Sequence, residues 1–274
     1  MKKIIHVWYG LSFVSFIAAQ SNDFYVLHAR PCGLFSCYLS VIGLLDFYEK
    51  NPCAGIAVKY DSGFYLDALV GSNWWNYFFQ PIYFGSAKKA RSIDIPFQQN
   101  ADFAGGITVE ISKQRAHELI KKYIHLKRHI QQQIDAFVKQ HFKGFYVIGV
   151  HYRGTDKNSE SVRVSYEAVL HAIKQRLNKL PRNKLYKIFV ATDEQALIAF
   201  LEHNLQHMIY RDVYRSQDGT PIHYGHFPAG YRQGEATVID CMLLSRCNCL
   251  IRTSSNLSLV ATLINPDLPV TLVS

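Results

Sequence analysis

The 274-residue chain lacks several of the signatures that would fix its chemistry at once. None of its six cysteines, Cys32, Cys37, Cys53, Cys241, Cys247 and Cys249, forms a Cys-x-x-Cys pair, so neither a zinc ribbon nor a thioredoxin-like redox site is indicated. Neither a P-loop nor a Gly-x-Ser-x-Gly elbow occurs. No acidic pair of the kind that holds a metal against a diphosphate is found. There is no internal repeat, no low-complexity segment and no long block of like charges. Beyond the first twenty residues nothing is long and apolar enough to span a membrane.

What is present points to a globular protein. Hydrophobic residues make up 49% of the chain against 19% charged, enough for one large core or two modest ones. The even number of cysteines permits disulfides, but small buried thiols are the expectation; Cys247 and Cys249 flank Asn248 at strand spacing and share one face. The formal net charge of +9 favours acidic partners, whether nucleic acid, an anionic membrane surface or a phosphorylated small molecule. The basic residues are dispersed, as along residues 113–139, so nucleic acid is not the expected partner.

Lys2 and Lys3 precede a mostly apolar stretch over residues 4–19, and Ala18 and Ala19 supply small residues before Gln20. This is the layout of a secretory signal peptide. The competing reading is a first buried strand. The signal is preferred because a strand over residues 24–28 follows immediately and feeds a Pro- and Gly-containing loop, so the fold does not need residues 1–20. The protein is then secreted or exported; without a leader it is cytoplasmic.

Along the rest of the chain the apolar spacing predicts a helix over 39–48, a strand over 54–60, and one long helix or two joined ones over 112–143, with Ser112 as N-cap and Gly144 at the end. Strands are predicted at 145–151, 185–191, 208–210, 248–252 and 270–273. Helices are predicted at 165–180, from an Asp193 cap to 205, at 234–246 and at 255–264. Strands that alternate with helices imply a parallel sheet covered on both faces, with ligands at the carboxyl ends of the strands. The aromatic segment over 71–84, with Trp74, Trp75, Tyr77, Phe78 and Phe79, is expected to be core before it is a ligand platform.

Four segments carry polar chemistry. The strand ending His151-Tyr-Arg153-Gly154 runs into a charged loop with Asp156 and Lys157; Arg153 would either grip a phosphate or pair with Asp156. Asp240 sits mid-helix among apolar residues and needs a partner, either a guanine base or an internal cation at Arg246, Arg252 or Lys157. Thr253, Ser254 and Ser255 join a strand to a helix N-terminus, where phosphate binds through free N–H groups; an ordinary Ser255 cap is the commoner use. The loop over 214–232 holds His223, Tyr224, His226, Tyr231 and Arg232, and its two histidines suggest a metal only weakly.

The order of the segments HYRGTDK, IFVATDE and GEATVIDCMLLSRCNCLIRTSSNLS resembles the donor-binding half of the fucosyltransferases of GT-B fold: the alpha-1,6-fucosyltransferases of animals and rhizobial nodulation, and their protein O-fucosyltransferase relatives. The resemblance is good from about residue 145 to the end and looser in the GLFS and NWWNYFFQPI segments. It implies an α/β, GT-B-like protein of two Rossmann-like domains with parallel sheets: a leader over 1–20, an acceptor-side domain over 21–143, and a nucleotide-sugar-binding domain over 144–274. It implies a donor substrate, GDP-fucose or a related GDP-sugar, with no cofactor and no metal, and a glycan or protein acceptor. Carried over to this chain, Arg153 would bind the donor diphosphate and neutralise the leaving group. His151 and Asp240 would contact guanine, Ser254 and Ser255 would hold phosphate oxygens, and Asp193 would line the nucleotide pocket. Glu160 is the candidate base, matched with a one-residue deletion after Lys157. The usual double arginine is changed, because Gly154 stands in place of the second. The alternatives are a catalytically silent nucleotide- or glycan-binding protein on the same fold and a transferase that uses another nucleotide-sugar.

Overall fold

The computed structural model describes residues 22–86, 90–93, 95, 111–155, 163–220 and 230–274. The leader expected over 1–20 lies outside them. The chain builds two sheets. In the first, β1 (Phe24–His28) runs parallel to β2 (Gly55–Lys59) and to β4 (Ala90–Ile93), and β3 (Tyr83–Gly85) pairs antiparallel with β2. This sheet is therefore mixed, where an all-parallel one was expected. The second sheet is parallel throughout, with β5 (Tyr146–Tyr152), β6 (Tyr186–Thr192), β7 (Met208–Ile209), β8 (Cys249–Arg252) and β9 (Val270–Leu272) in the order β7-β6-β5-β8-β9.

Strand alternation distributes the second sheet's side chains between two apolar layers. Ile148, Val150, Ile188, Val190 and Ile251 face α5 (Tyr166–Asn178) and α6 (Gln195–Asn204). Val147, Phe189, Ala191 and Leu250 face the other way, into a core that continues through α7 (Gly230–Ser245) and α8 (Asn256–Ile264) to α1 (Leu34–Lys50) and the first sheet. Helix α1 is buried along most of its length, and α3 (Lys113–Tyr123) packs on both α1 and α8. The two sheets thus share one apolar mass.

The aromatic segment is core. Trp74, Trp75, Phe78 and Phe79 are buried, Trp75 stacks on Phe79, and α2 (Trp75–Phe78) lies against α7. The same segment divides the long helix read from the sequence. Between α3 and α4 (Arg128–Phe137) the Gln80 amide donates to the His125 carbonyl at 2.7 Å and the Lys127 amide to the Phe78 carbonyl at 2.8 Å, which takes those backbone groups out of helix. Helix α4 then runs into a π-helical turn over Val138–Phe142, and Gly144, at a φ of 86°, ends the run as expected. Ser112 caps α3 by accepting from the Arg115 amide at 3.1 Å, also as expected.

One capping expectation fails. Helix α6 begins after Glu194, and Asp193 does not cap it; the Asp193 carboxylate is taken by the loop after β5 instead. Helix α7 also starts at Gly230, four residues earlier than its apolar spacing predicted.

The packing of Trp75 gives a direct test. Trp75→Ala should cost about 3–5 kcal/mol of stability, measured by urea unfolding, as for other buried large-to-small changes. A loss below about 1 kcal/mol would contradict its place in the core.

Candidate functional site

The connections in the second sheet run from β5 outward through β6 and β7, then return to the opposite side of β5 for β8 and β9. The crevice at the carboxyl ends of β5 and β8 is therefore the switch point at which parallel α/β sheets receive ligands. Register places His151 beside Arg252 there. The Thr253 amide donates to the His151 carbonyl at 3.0 Å, and the Arg153 amide donates to Thr253 Oγ1 at 3.1 Å, so the two strand ends are tied as they leave the sheet.

Both paired side chains are nearly enclosed. His151 is 5% exposed and its Nδ1 has no hydrogen-bond partner. Burial, and then the neighbouring Arg153 and Arg252 cations, push the imidazole down to about 3, so it is neutral at physiological pH. Arg252 is 7% exposed. Its Nη1 donates to Ser258 Oγ at 3.2 Å and to the Ser255 carbonyl at 3.4 Å, while Nε is buried without an acceptor. Burial lowers its pKa.

The N-terminus of α8 opens on the same crevice. Ser255 holds the N-cap position in an extended conformation, but its hydroxyl makes no capping bond to the helix. The ordinary capping role considered for it is thus not realised. The first-turn N–H groups of α8 and the positive end of its dipole are left without a side-chain cap. Ser254 is half-buried beside them. Arg153 is half-buried, and its charge reaches the first half of the chain: burial pushes the Tyr65 phenol up to about 12, opposed by the Leu34 amide and then by Arg153. Tyr65 itself accepts from the Leu34 amide at 3.0 Å, at the start of α1.

The acids lie on the β6 side. Asp193 accepts from the Gly154 amide at 3.0 Å and from Thr155 Oγ1 at 2.7 Å, so its carboxylate is turned to the β5 loop. Glu194, 2% exposed, accepts from Arg163 Nη2 at 2.9 and 3.0 Å and from the Tyr166 hydroxyl at 2.6 Å. A Cβ at position 154 would sit 2.3 Å from the Glu194 carboxyl carbon. Glycine leaves that space to the carboxylate, and a larger residue would have to displace Glu194 from Arg163 and Tyr166.

Asp240 has its internal cation, and it is none of those named from the sequence. Arg211 Nη1 donates to Asp240 Oδ1 at 3.2 Å and to the Ala236 carbonyl at 2.9 Å. Arg246 pairs with Asp135 at 2.7 Å, Arg252 turns to the α8 turn, and Lys157 lies outside the described residues. Burial pushes the Asp240 carboxyl up, with Arg211 and then Arg215 opposing. Arg215 is itself buried, donating to the Arg211 carbonyl at 2.7 Å. Arg211 and Arg215 are site residues to which sequence reasoning gave no role, and Arg252 entered it only as a partner for Asp240. Arg211 and Arg215 stand four apart in the RDVYR run after β7, a spacing visible in the sequence but without helical context to interpret it.

Asp156, Glu160, His223, Tyr224 and His226 lie outside the described residues. Tyr231 stacks on Phe78 and donates to Glu235 at 2.9 Å, which makes it part of the packing between α2 and α7; Arg232 is exposed. Among the described residues there is no group of three His, Cys, Asp or Glu side chains able to hold a metal. All six cysteines are free, with Cys32 and Cys37 Sγ atoms 3.5 Å apart.

A family model described as Nodulation protein Z (NodZ) matches residues 98–268. The Nodulation protein Z of Azorhizobium caulinodans is 29% identical over 143 residues, which are 47% of this chain and 42% of that relative. The match therefore spans less than half of the curated relative. Among solved structures, NodZ alpha-1,6-fucosyltransferase soaked with GDP-fucose superposes with a TM-score of 0.63 at 18% identity, covering 89% of this chain and 92% of that one. Fucosyltransferase NodZ from Bradyrhizobium gives 0.61 at 18% identity over 89% and 93%. POFUT1 in complex with GDP gives 0.53 at 10% identity over 94% and 100%. The chain shares their fold.

The buried neutral His151 sets a pH dependence. The unfolded chain takes up this proton near 6.5 and the folded chain only at about 3. Its contribution to stability is therefore complete above about pH 6.5 and is lost as pH falls towards 3. His151→Gln should flatten the stability–pH curve within that window; an unchanged slope in urea titrations would contradict the burial.

Proposed function

Because the chain belongs to the Nodulation protein Z family, we propose that it is a metal-independent glycosyltransferase that moves fucose from GDP-fucose to a hydroxyl of a glycan or protein. The observation that carries the reading is the switch-point crevice, where Arg153, Arg252 and the uncapped end of α8 converge. Such a place favours a diphosphate. NodZ and POFUT1, which share the fold, are described with GDP or GDP-fucose.

In this reading residues 144–274 form the donor side and residues 21–143 the acceptor side. Arg153 and the N–H groups at the start of α8, next to Ser254 and Ser255, hold the diphosphate. They stabilise the charge that develops as the bond from the anomeric carbon to the phosphate oxygen breaks and its electron pair passes to GDP. The sugar passes through an oxocarbenium-like state, and the acceptor oxygen attacks from the opposite face, with inversion. Glu160 is the proposed base that takes the acceptor proton. Neutral His151 and Asp240 are the proposed guanine contacts. Arg211 pairs with the Asp240 carboxyl and opposes the upward push of burial; in its ionised form the carboxylate accepts from the base N1–H and amino group. Asp193 acts at one remove, by fixing Gly154 and Thr155 at the edge of the pocket.

Thermal unfolding with GDP, UDP and GMP tests the donor class. At about a hundred times its dissociation constant, GDP should add about 2.7 kcal/mol of stability. The expected order is GDP well above UDP, with the GDP effect weakened about tenfold or more in affinity by Arg153→Ala, as for a lost charge-assisted contact. Release of fucose from GDP-fucose by the wild type, abolished by the same substitution, supports a working transferase. A GDP shift with no release supports a silent binder on the same fold, and no shift with any nucleotide contradicts the donor site.

A further inference from the structure

The second cationic contact to the donor diphosphate comes from β8 in this chain: we propose that Arg252 performs it, reaching the same ligand as Arg153 from the neighbouring strand. This rests on the reading of the crevice as the diphosphate site and goes beyond it by assigning a residue and a division of charge.

The first observation is what position 154 does not supply. The Glu194 carboxylate occupies the space of a side chain at Gly154, held there by Arg163 and Tyr166, so a second guanidinium after Arg153 would have to displace it, and the chain carries glycine instead. The second is what Arg252 lacks. It is 7% exposed, no carboxylate of the described residues pairs with it, and its Nε has no acceptor. A guanidinium does not neutralise itself by losing a proton, so a buried one without a counter-charge is costly. Two neutral oxygens, Ser255 O and Ser258 Oγ, offset only part of that cost.

The third observation is direction. Register sets Arg252 beside His151, whose Nδ1 is also buried and unpartnered, and the bonds through Nη1 draw the guanidinium against the first turn of α8. The unsatisfied Nε of Arg252 therefore lies at the place where the helix N–H groups are uncapped. A single polyanion with several oxygens answers both. A monophosphate carries fewer oxygens to span from Arg153 to Arg252, so the arrangement selects a diphosphate over a monophosphate.

Calorimetric titration of the full chain with GDP, GMP and guanosine, on the wild type, Arg252→Met and Arg252→Lys, tests this. Arg252→Met should lose about tenfold or more in GDP affinity, less for GMP, and nothing for guanosine. Its ligand-free melting temperature should hold or rise, since an unpaired buried charge has been replaced by an apolar chain of similar volume. Arg252→Lys keeps the charge without the fork and should lose severalfold for GDP with guanosine unaffected; it serves alone if the methionine variant does not fold. Equal losses for GDP and guanosine, or unchanged GDP affinity in folded variants, overturn the assignment while leaving the crevice intact. A folded wild type that binds none of the three overturns the donor site itself.

Discussion

At the carboxyl ends of β5 and β8 a guanidinium and an imidazole lie side by side, both nearly enclosed, and no carboxylate among the described residues pairs with the guanidinium. Two buried basic groups in contact repel if both are charged, and the histidine resolves this by staying neutral. The arginine has no such recourse. The nearby acids are committed elsewhere, two of them at the end of β6 and one on α7. Asp193 is held by Gly154 and Thr155, Glu194 by Arg163 and Tyr166, and Asp240 by Arg211. Separation of sign across β5 leaves a positive crevice on one side and a satisfied acidic lattice on the other. That lattice is also what fixes the loop carrying Arg153.

The fold maintains this separation by packing more than by ion pairs. The strand ends cannot drift because the face of the second sheet that carries His151 and Arg252 belongs to the same apolar mass as α1, α7 and α8. The aromatic segment of the first half contributes to that mass, and its backbone pairs with the break between α3 and α4. Gly234 shows how tight the contact is, since a Cβ there would lie 2.5 Å from the Phe78 ring. A substitution in the first half can therefore disturb the crevice without touching any of its polar groups.

The second sheet was the most legible part of the sequence. Strands covered on both faces are apolar runs, and the runs around Ile148, Val190 and Ile251 mark β5, β6 and β8 to within a residue or two. In contrast, β3 and β4 span three and four residues and lack enough alternation to stand out. Helix α2 is equally short and is shaped by its ring contacts. The residue type of Asp193 favours a helix cap, whereas its actual partners lie 38 and 39 residues earlier in the chain. The need of Asp240 for a partner could be read from its apolar neighbours; the identity of that partner could not, since Arg211 sits in irregular chain. Arg252 passed unnoticed as a ligand contact for a related reason: only the register of β8 on β5 shows that it is buried without a carboxylate. Arg153, His151 and the α8 N-terminus were found because strand end, turn and helix start are contiguous in sequence.

One diphosphate would supply the counter-charge that Arg252 lacks and the acceptors that the uncapped amides of α8 lack at the β5–β8 switch point. A crystal structure of the full chain with GDP tests this most directly. The diphosphate is expected between the ends of these two strands, within hydrogen-bond distance of Arg153, Arg252 and the first-turn amides of α8. A diphosphate bound elsewhere, with Arg252 still enclosed and without a counter-charge, would contradict it.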